Sequence, residues 1–340
     1  MERELEIVTN WAVRERNSLL SGENVRSLPL VCEFDGMGGT GKSRLIAELG
    51  SHHYHNYSDP LTFNESNQGV PNVSRNQPKK FADAQFELTC ERLDTAHSPE
   101  NVCAFVFFDR GIFDFILLYN ILFNNQVISE EECRNRIRDV MTKGDGRVDL
   151  VFVLINSIEE SLQGKTVINS LAFMNSLGLK SRGIEETYSR FIYAQEVYRR
   201  FFIKSDKVRS CVKQLIDIDV KDAQRDFDRI FSQVITTINL HLLFKAWESL
   251  FLTRFGEELK SPQADTKAKI LAFAKKLQNS FVHLREKVVK SQEIDPESNV
   301  GKTLKNYQQT EFVIGRCGNV KVTMKDIFDS PPTYQVYGLL

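Results

Sequence analysis

Apolar residues fall along the chain in short continuous runs separated by stretches with helical spacing. Leu30-Val31-Cys32-Glu33-Phe34 reads as a short buried strand. Val102 to Phe108 is apolar throughout, as in a strand covered on both faces of a parallel sheet. Asp149 to Ile155 repeats that pattern, and Val212 to Ile218 gives a shorter one. Between these runs the spacing turns helical. Ser43–Leu49 carries Leu45, Ile46 and Leu49, and 81–96 carries Phe81, Ala84, Leu88 and Leu93. Further helices are predicted over 113–123, 158–163, 184–204 and from 222 to about 255. Strands alternating with helices over 30–240 predict an α/β fold with a parallel central sheet.

The ends of the chain differ from this middle. Residues 1–28 predict a helix, with Ile7, Trp11 and Leu19 or Leu20 inward, and a linker closed by Pro29. Residues 51–80 are polar and rich in Asn, His, Ser and Pro, which predicts a mobile loop beside an active site, with a short strand at Leu61-Thr62-Phe63. Far downstream, Ile270, Ala274, Leu277, Phe281, Leu284 and Val288 follow a 4,3,4,3,4 spacing. That narrow seam either packs within the chain or pairs two copies into a homodimer. Glu311–Ile314 and Val320–Thr323 flank Gly318-Asn319 as a hairpin. The expected division is an N-terminal helix and linker (1–28), a catalytic-type domain (29–240) and a mainly helical appendage (241–340).

Composition narrows the partners. The 340 residues hold 44 basic and 45 acidic side chains, a net charge of −1, so no global field favours nucleic acid or an anionic membrane. No apolar run reaches the ~18–20 residues that span a bilayer. The charged start, Met1-Glu2-Arg3-Glu4-Leu5-Glu6, has no signal-peptide core. Six scattered cysteines without a Cys-x-x-Cys pair fit reduced thiols in a cytoplasmic protein. His52, His53 and His55 cluster without matching ligand spacing, so a polar loop is the reading.

The specific chemistry begins at Gly36-Met37-Gly38-Gly39-Thr40-Gly41-Lys42-Ser43, which satisfies Gly-x4-Gly-Lys-Ser between a strand and a helix. Gly36, Gly38, Gly39, Thr40 and Gly41 bring backbone N–H groups around a β-phosphate, with the helix N-terminus adding partial positive charge. Lys42 bridges β- and γ-phosphates, and Ser43 offers its hydroxyl to Mg²⁺. The expected ligands are therefore ATP, or another nucleoside triphosphate, and Mg²⁺. The layout is that of a P-loop NTPase, a three-layer αβα fold on a parallel sheet. Asp109-Arg110 follows the second long strand, where side chains face the ligand crevice. A carboxylate there holds the metal or its waters, and an arginine there neutralises charge on a phosphoryl group. Lys180-Ser181-Arg182 is a basic cluster suited to a lid, or else a solvated helix start.

This arrangement resembles the P-loop nucleoside and nucleotide kinases, in particular the deoxynucleoside kinase and thymidylate kinase group. The likeness rests on loop 36–43, Thr62-Phe63-Asn64-Glu65-Ser66, Gln85 with Arg92, and Phe108-Asp109-Arg110-Gly111, and it spans about residues 29–236. It implies Glu65 as general base on an acceptor hydroxyl, Gln85 and Arg92 as acceptor-binding residues, and Lys42, Asp109, Arg110 and Arg182 around the transferred group. The partner is then a small nucleoside or nucleotide acceptor. Asn64 stands where thymidylate kinases carry an arginine for the acceptor phosphate, which favours an unphosphorylated nucleoside. Gly111 replaces the usual serine. Gln163 and Gly164 occupy an arginine's place, with Lys165 beside them, and 164–182 is longer than usual. The large appendage leaves a second reading: a nucleotide-sensing NTPase whose core controls the C-terminal region.

Overall fold

The computed structural model describes residues 2–21, 28–51, 60–63, 77–156, 184–204, 206–212, 214–221, 224–255, 272, 294–307, 313–317 and 320–323. The chain divides into two compact units, Pro29–Asp228 and the pair of segments Met1–Leu28 and Arg229–Leu340.

The first unit is built on five strands: β1 (Leu30–Gly36), β2 (Leu61–Phe63), β3 (Phe105–Asp109), β4 (Leu150–Asn156) and β5 (Gln214–Val220). They form one sheet in the order β2-β3-β1-β4-β5, and every pair is parallel. β1, β3 and β4 are buried along their whole length, as their largely apolar sequences favour, with Glu33 and Asp35 of β1 buried among them. β5 lies at an edge and alternates buried with exposed positions over its second half. On one face Phe34 stacks on Phe152 at 5.0 Å and meets Phe107 edge-on at 6.0 Å. On the other, Val31, Val106, Phe108, Val151 and Val153 join Phe86, Phe113, Ile116 and Tyr119 in the main core. The fold is α/β, a parallel sheet flanked by helices, with a mainly helical C-terminal region.

The first helix of the chain, α1 (Glu2–Leu20), belongs to the second unit. The first unit carries α2 (Lys42–Ser51), α3 (Pro78–His97), α4 (Phe115–Asn124), α5 (Glu130–Gly144) and α6 (Ile184–Val197). α6 passes into a π-helical turn, Tyr198–Ile203, and then α7 (Asp206–Cys211). α5 and α7 have no counterpart in the sequence expectations. In α5 Cys133, Val140 and Gly144 are buried and Ile137 and Met141 pack half-buried beside them, a thin helical stripe that the sequence expectations passed over. Its start is fixed by Ser129, whose Oγ accepts the Glu132 N–H at 3.2 Å. The strand expected over 102–108 begins at Phe105, because pairing starts at Leu30↔Phe105 and Val102 is 83% exposed.

The second unit contains α1, α8 (Phe227–Phe255, whose first two residues belong to the first unit), α9 (Asn299–Tyr307) and the antiparallel pair β6 (Val313–Cys317) and β7 (Val320–Thr323). Asn239 donates to Thr9 Oγ1 at 2.8 Å, which ties α8 to α1. Glu4 Oε1 accepts the Asp295 N–H at 2.9 Å just ahead of α9. α8 runs unbroken through residue 240, where the sequence suggests a division. The predicted 270–288 seam lies outside the described residues, Ala272 being the one position in that stretch within them. Among the described residues no helix is long and apolar enough to cross a membrane.

Candidate functional site

β1 ends in a loop whose shape glycine makes possible. Gly36, Gly39 and Gly41 have φ of +124°, +80° and +85°, a region that side chains disfavour. At Gly36 space forbids a side chain as well. A Cβ there would sit 2.0 Å from the Leu154 carbonyl oxygen on β4. The same carbonyl accepts the Met37 N–H at 3.1 Å, so β1 and β4 are drawn together where the loop begins. Thr40 is buried and donates its hydroxyl to the Met37 carbonyl at 2.9 Å, closing the loop on itself.

Lys42 opens α2 and is only 5% exposed. Its Nζ donates to Gly36 O at 3.1 Å, to Met37 O at 2.6 Å and to Thr40 Oγ1 at 3.4 Å. The ammonium thus lies inside the curve of the loop. Next to it, Ser43 Oγ donates to Asp109 Oδ2 at 2.6 Å. The sequence expectation put Ser43 and Asp109 on one metal ion from two distant elements, and the fold brings them into contact. A hydroxyl and a carboxylate are the hard oxygen donors that Mg²⁺ takes. The positive-φ glycines leave backbone space of the kind phosphate requires. The residues present therefore fit both groups.

Arg110, just beyond β3, has φ +62°, which is unusual for a non-glycine residue and recurs at functional sites. Its N–H donates to Phe34 O at 3.2 Å, and its Nη1 donates to Asp114 Oδ2 at 3.0 Å. Gln85 and Arg92 lie on α3. Gln85 is buried on the helix that also buries Phe81 and Phe86, and the half-buried Arg92 guanidinium stands 5.6 Å from the Phe63 ring centroid at the end of β2. Burial lowers the Arg92 pKa. Glu65, Asn64, Gln163, Lys165, Arg182 and His52, His53 and His55 lie outside the described residues.

Sequence reasoning passed over four residues here. Glu33 and Asp35 alternate on β1, both fully buried, and face the turn after β3. Glu33 accepts the N–H groups of Ile112 at 2.7 Å and Phe113 at 3.2 Å, and Asp35 accepts that of Gly111 at 3.3 Å. The Glu33 carboxyl fills the space a Cβ on Gly111 would need, with its carbon 2.0 Å away. Glycine at 111 follows from this packing. The visible signal was two acids spaced by two in an otherwise apolar strand, which must find partners when buried. The others are Asp114, four residues after Arg110, and Tyr198, for which no sequence signal exists.

The two β1 acids share a titration. Burial pushes Glu33 up to about 8 from an ordinary 4.5, against the pull of the Ile112 and Phe113 N–H groups, and Asp114 adds to the rise. Burial, then Glu33, also raises Asp35, against the pull of the Gly111 N–H and Arg110. Among the described residues Asp35 Oδ2 has no hydrogen-bond partner, so nothing offsets the burial of a charge there. Both pKa values are raised by folding. The stability that goes with the protonated pair is full below the unfolded values and is lost as pH climbs from there through about 8. The melting temperature is expected to fall as pH rises from about 5 to about 8. Asp35→Asn replaces one of the two titrating carboxyls with a neutral amide, and should flatten that fall in part. Parallel wild-type and variant curves in thermal unfolding across this range would show that the pair does not titrate with folding.

No protein-family model matches the chain, and no curated protein matches it. Among solved structures, a thymidylate kinase from Candida albicans is 15% identical, with a TM-score of 0.41 over 62% of this chain and 93% of that one. A deoxyadenosine kinase from M. mycoides with bound dATP is 16% identical, with a TM-score of 0.41 over 60% of this chain and 99% of that one. At this identity and TM-score the likeness carries no argument about what the chain does.

Proposed function

We propose that the chain transfers the γ-phosphoryl group of ATP, or of another nucleoside triphosphate, to a nucleoside or nucleotide. The observation that carries this is the Ser43–Asp109 contact at 2.6 Å beside the Lys42 ammonium. It joins a metal-binding pair and a phosphate-binding cation at the mouth of a glycine loop, which is the equipment of phosphoryl transfer.

In this reading Gly36 to Ser43 wrap the β-phosphate with backbone N–H groups, and Lys42 exchanges its carbonyl partners for β- and γ-phosphate oxygens. Ser43 and Asp109 hold Mg²⁺, which when bound neutralises charge on the phosphates. Arg110 offsets the charge that spreads over the transferred group. Arg182, in the segment read as a lid, does the same. Glu65 accepts the proton of the acceptor hydroxyl. Gln85 hydrogen-bonds the acceptor's base, and Arg92, backed by Phe63, lines the pocket. Asn64 in place of an arginine favours an unphosphorylated nucleoside.

The test is direct. The purified protein is incubated with Mg²⁺, γ-labelled ATP and a panel of nucleosides and monophosphates. Label is expected on one or a few acceptors, nucleosides first. Release of label only as inorganic phosphate would remove the kinase reading and leave the regulatory NTPase.

A further inference from the structure

Tyr198 opens the π-helical turn that follows α6. Such turns add a residue to the helical ladder, are rare, and tend to mark functional sites. This one is held in the core by Phe202, whose ring lies 5.2 Å from that of Tyr198. The Tyr198 side chain is fully buried, and its hydroxyl donates to Asp114 Oδ1. The other oxygen of the same carboxylate accepts from Arg110 Nη1 at 3.0 Å. One carboxylate therefore connects a phenol from the far side of residues 157–183 to the guanidinium at the end of β3.

An arginine side chain has several rotatable bonds, and holding it in one direction costs entropy unless something fixes it. The Arg110 backbone is already fixed, by its positive φ and its N–H bond to Phe34 O. The charged groups facing the cluster from β1 are Glu33 and Asp35, which accept from the backbone of Gly111, Ile112 and Phe113. Asp114 instead accepts from the guanidinium itself. We propose that Tyr198 and Asp114 form a relay that sets the direction of the Arg110 guanidinium, so that the π-helical turn after α6 positions the arginine acting on the phosphoryl group. This rests on the phosphoryl-transfer reading of the site. Tyr198 and Asp114 are positioning residues in it, since neither needs to touch substrate. Burial, and then Asp114, push the Tyr198 hydroxyl well above its usual pKa, so it remains a donor across the physiological range.

Tyr198→Phe removes one hydroxyl and keeps the ring in the core. With an acceptor in hand, kcat should fall about tenfold, the effect of one hydrogen bond to a charged group, while KM for ATP changes less than about twofold. In an Arg110→Ala background the same change should have no further effect. A second readout needs no turnover: the ¹⁵Nε–H resonance of Arg110 in the nucleotide-free protein. It should shift in Tyr198→Phe, and shift further in Asp114→Asn. Equal losses of kcat in both backgrounds, or a resonance that stays in place in both variants, overturn the relay. A wild-type protein that phosphorylates no acceptor sinks the transfer reading instead, and the resonance then decides the relay alone.

Discussion

Gly36→Ala is expected to damage the fold severely by adding a single methyl group. The added Cβ would stand 2.0 Å from Leu154 O, 2.7 Å from Leu154 N and 2.8 Å from Leu154 C. All three are backbone atoms of β4, so no side chain can swing away. The φ of +124° is itself closed to alanine. Relief requires parting β1 from β4 at Gly36↔Leu154, which is also where the loop leaves the sheet. A cost of about 4 kcal/mol or more is expected, a large share of the stability of an ordinary domain. Nucleotide binding should disappear with it. Gly50→Ala is the control. Among the described residues nothing lies within 4 Å of a Cβ there, and alanine within α2 should stabilise by roughly 0.5–1 kcal/mol. Urea unfolding of both variants checks the pair. If Gly36→Ala unfolds like the wild type, the close approach of loop and β4 is wrong.

Lys42→Ala is expected to have the second largest effect, on function rather than on folding. Lys42 is 5% exposed, and its ammonium donates to the loop's own oxygens, at 2.6 Å to Met37 and 3.1 Å to Gly36. Those two acceptors are carbonyls, which a phosphate can replace. Truncation removes the cation that triphosphate oxygens would meet in a site sheltered from water, where a charge counts for more than at the surface. Turnover should fall roughly 10²–10³-fold or more, as when an oriented donor is deleted from a preorganised site. The melting temperature should move by only a few degrees, because the glycine geometry and the Met37 N–H bond to Leu154 O do not depend on the lysine.

How far the sequence carried is visible at particular residues. β1, β3 and β4 announce themselves because strands buried on both faces must be apolar nearly throughout. The Gly-x4-Gly-Lys-Ser spacing announces the loop, because only glycine tolerates its backbone. A motif and a strand end read together suggested Ser43 and Asp109 as partners of one metal ion; the direct contact between them is seen only in the fold. α5 was not read, because Cys133, Ile137, Val140 and Met141 make only a thin stripe in a segment dominated by charged residues. Nor was the setting of Arg110. Its partners come from β1, from α4's N-terminal edge and from a π-helical turn 88 positions on, counting from Arg110 to Tyr198, and only the folded chain brings these together. Glu33 and Asp35 stood in plain view, but local periodicity scored β1 as apolar and did not ask what two buried acids would bind.

The central claim is that residues 36–43, with Asp109, hold a metal-bound nucleoside triphosphate. Calorimetric titration of the wild-type protein with Mg²⁺ and a non-hydrolysable ATP analogue tests it most directly, with Lys42→Ala titrated beside it. The prediction is saturable one-to-one binding that weakens when Mg²⁺ is withheld and is largely lost in the folded Lys42→Ala variant. No binding by the wild type, or equal binding by the variant, would contradict it.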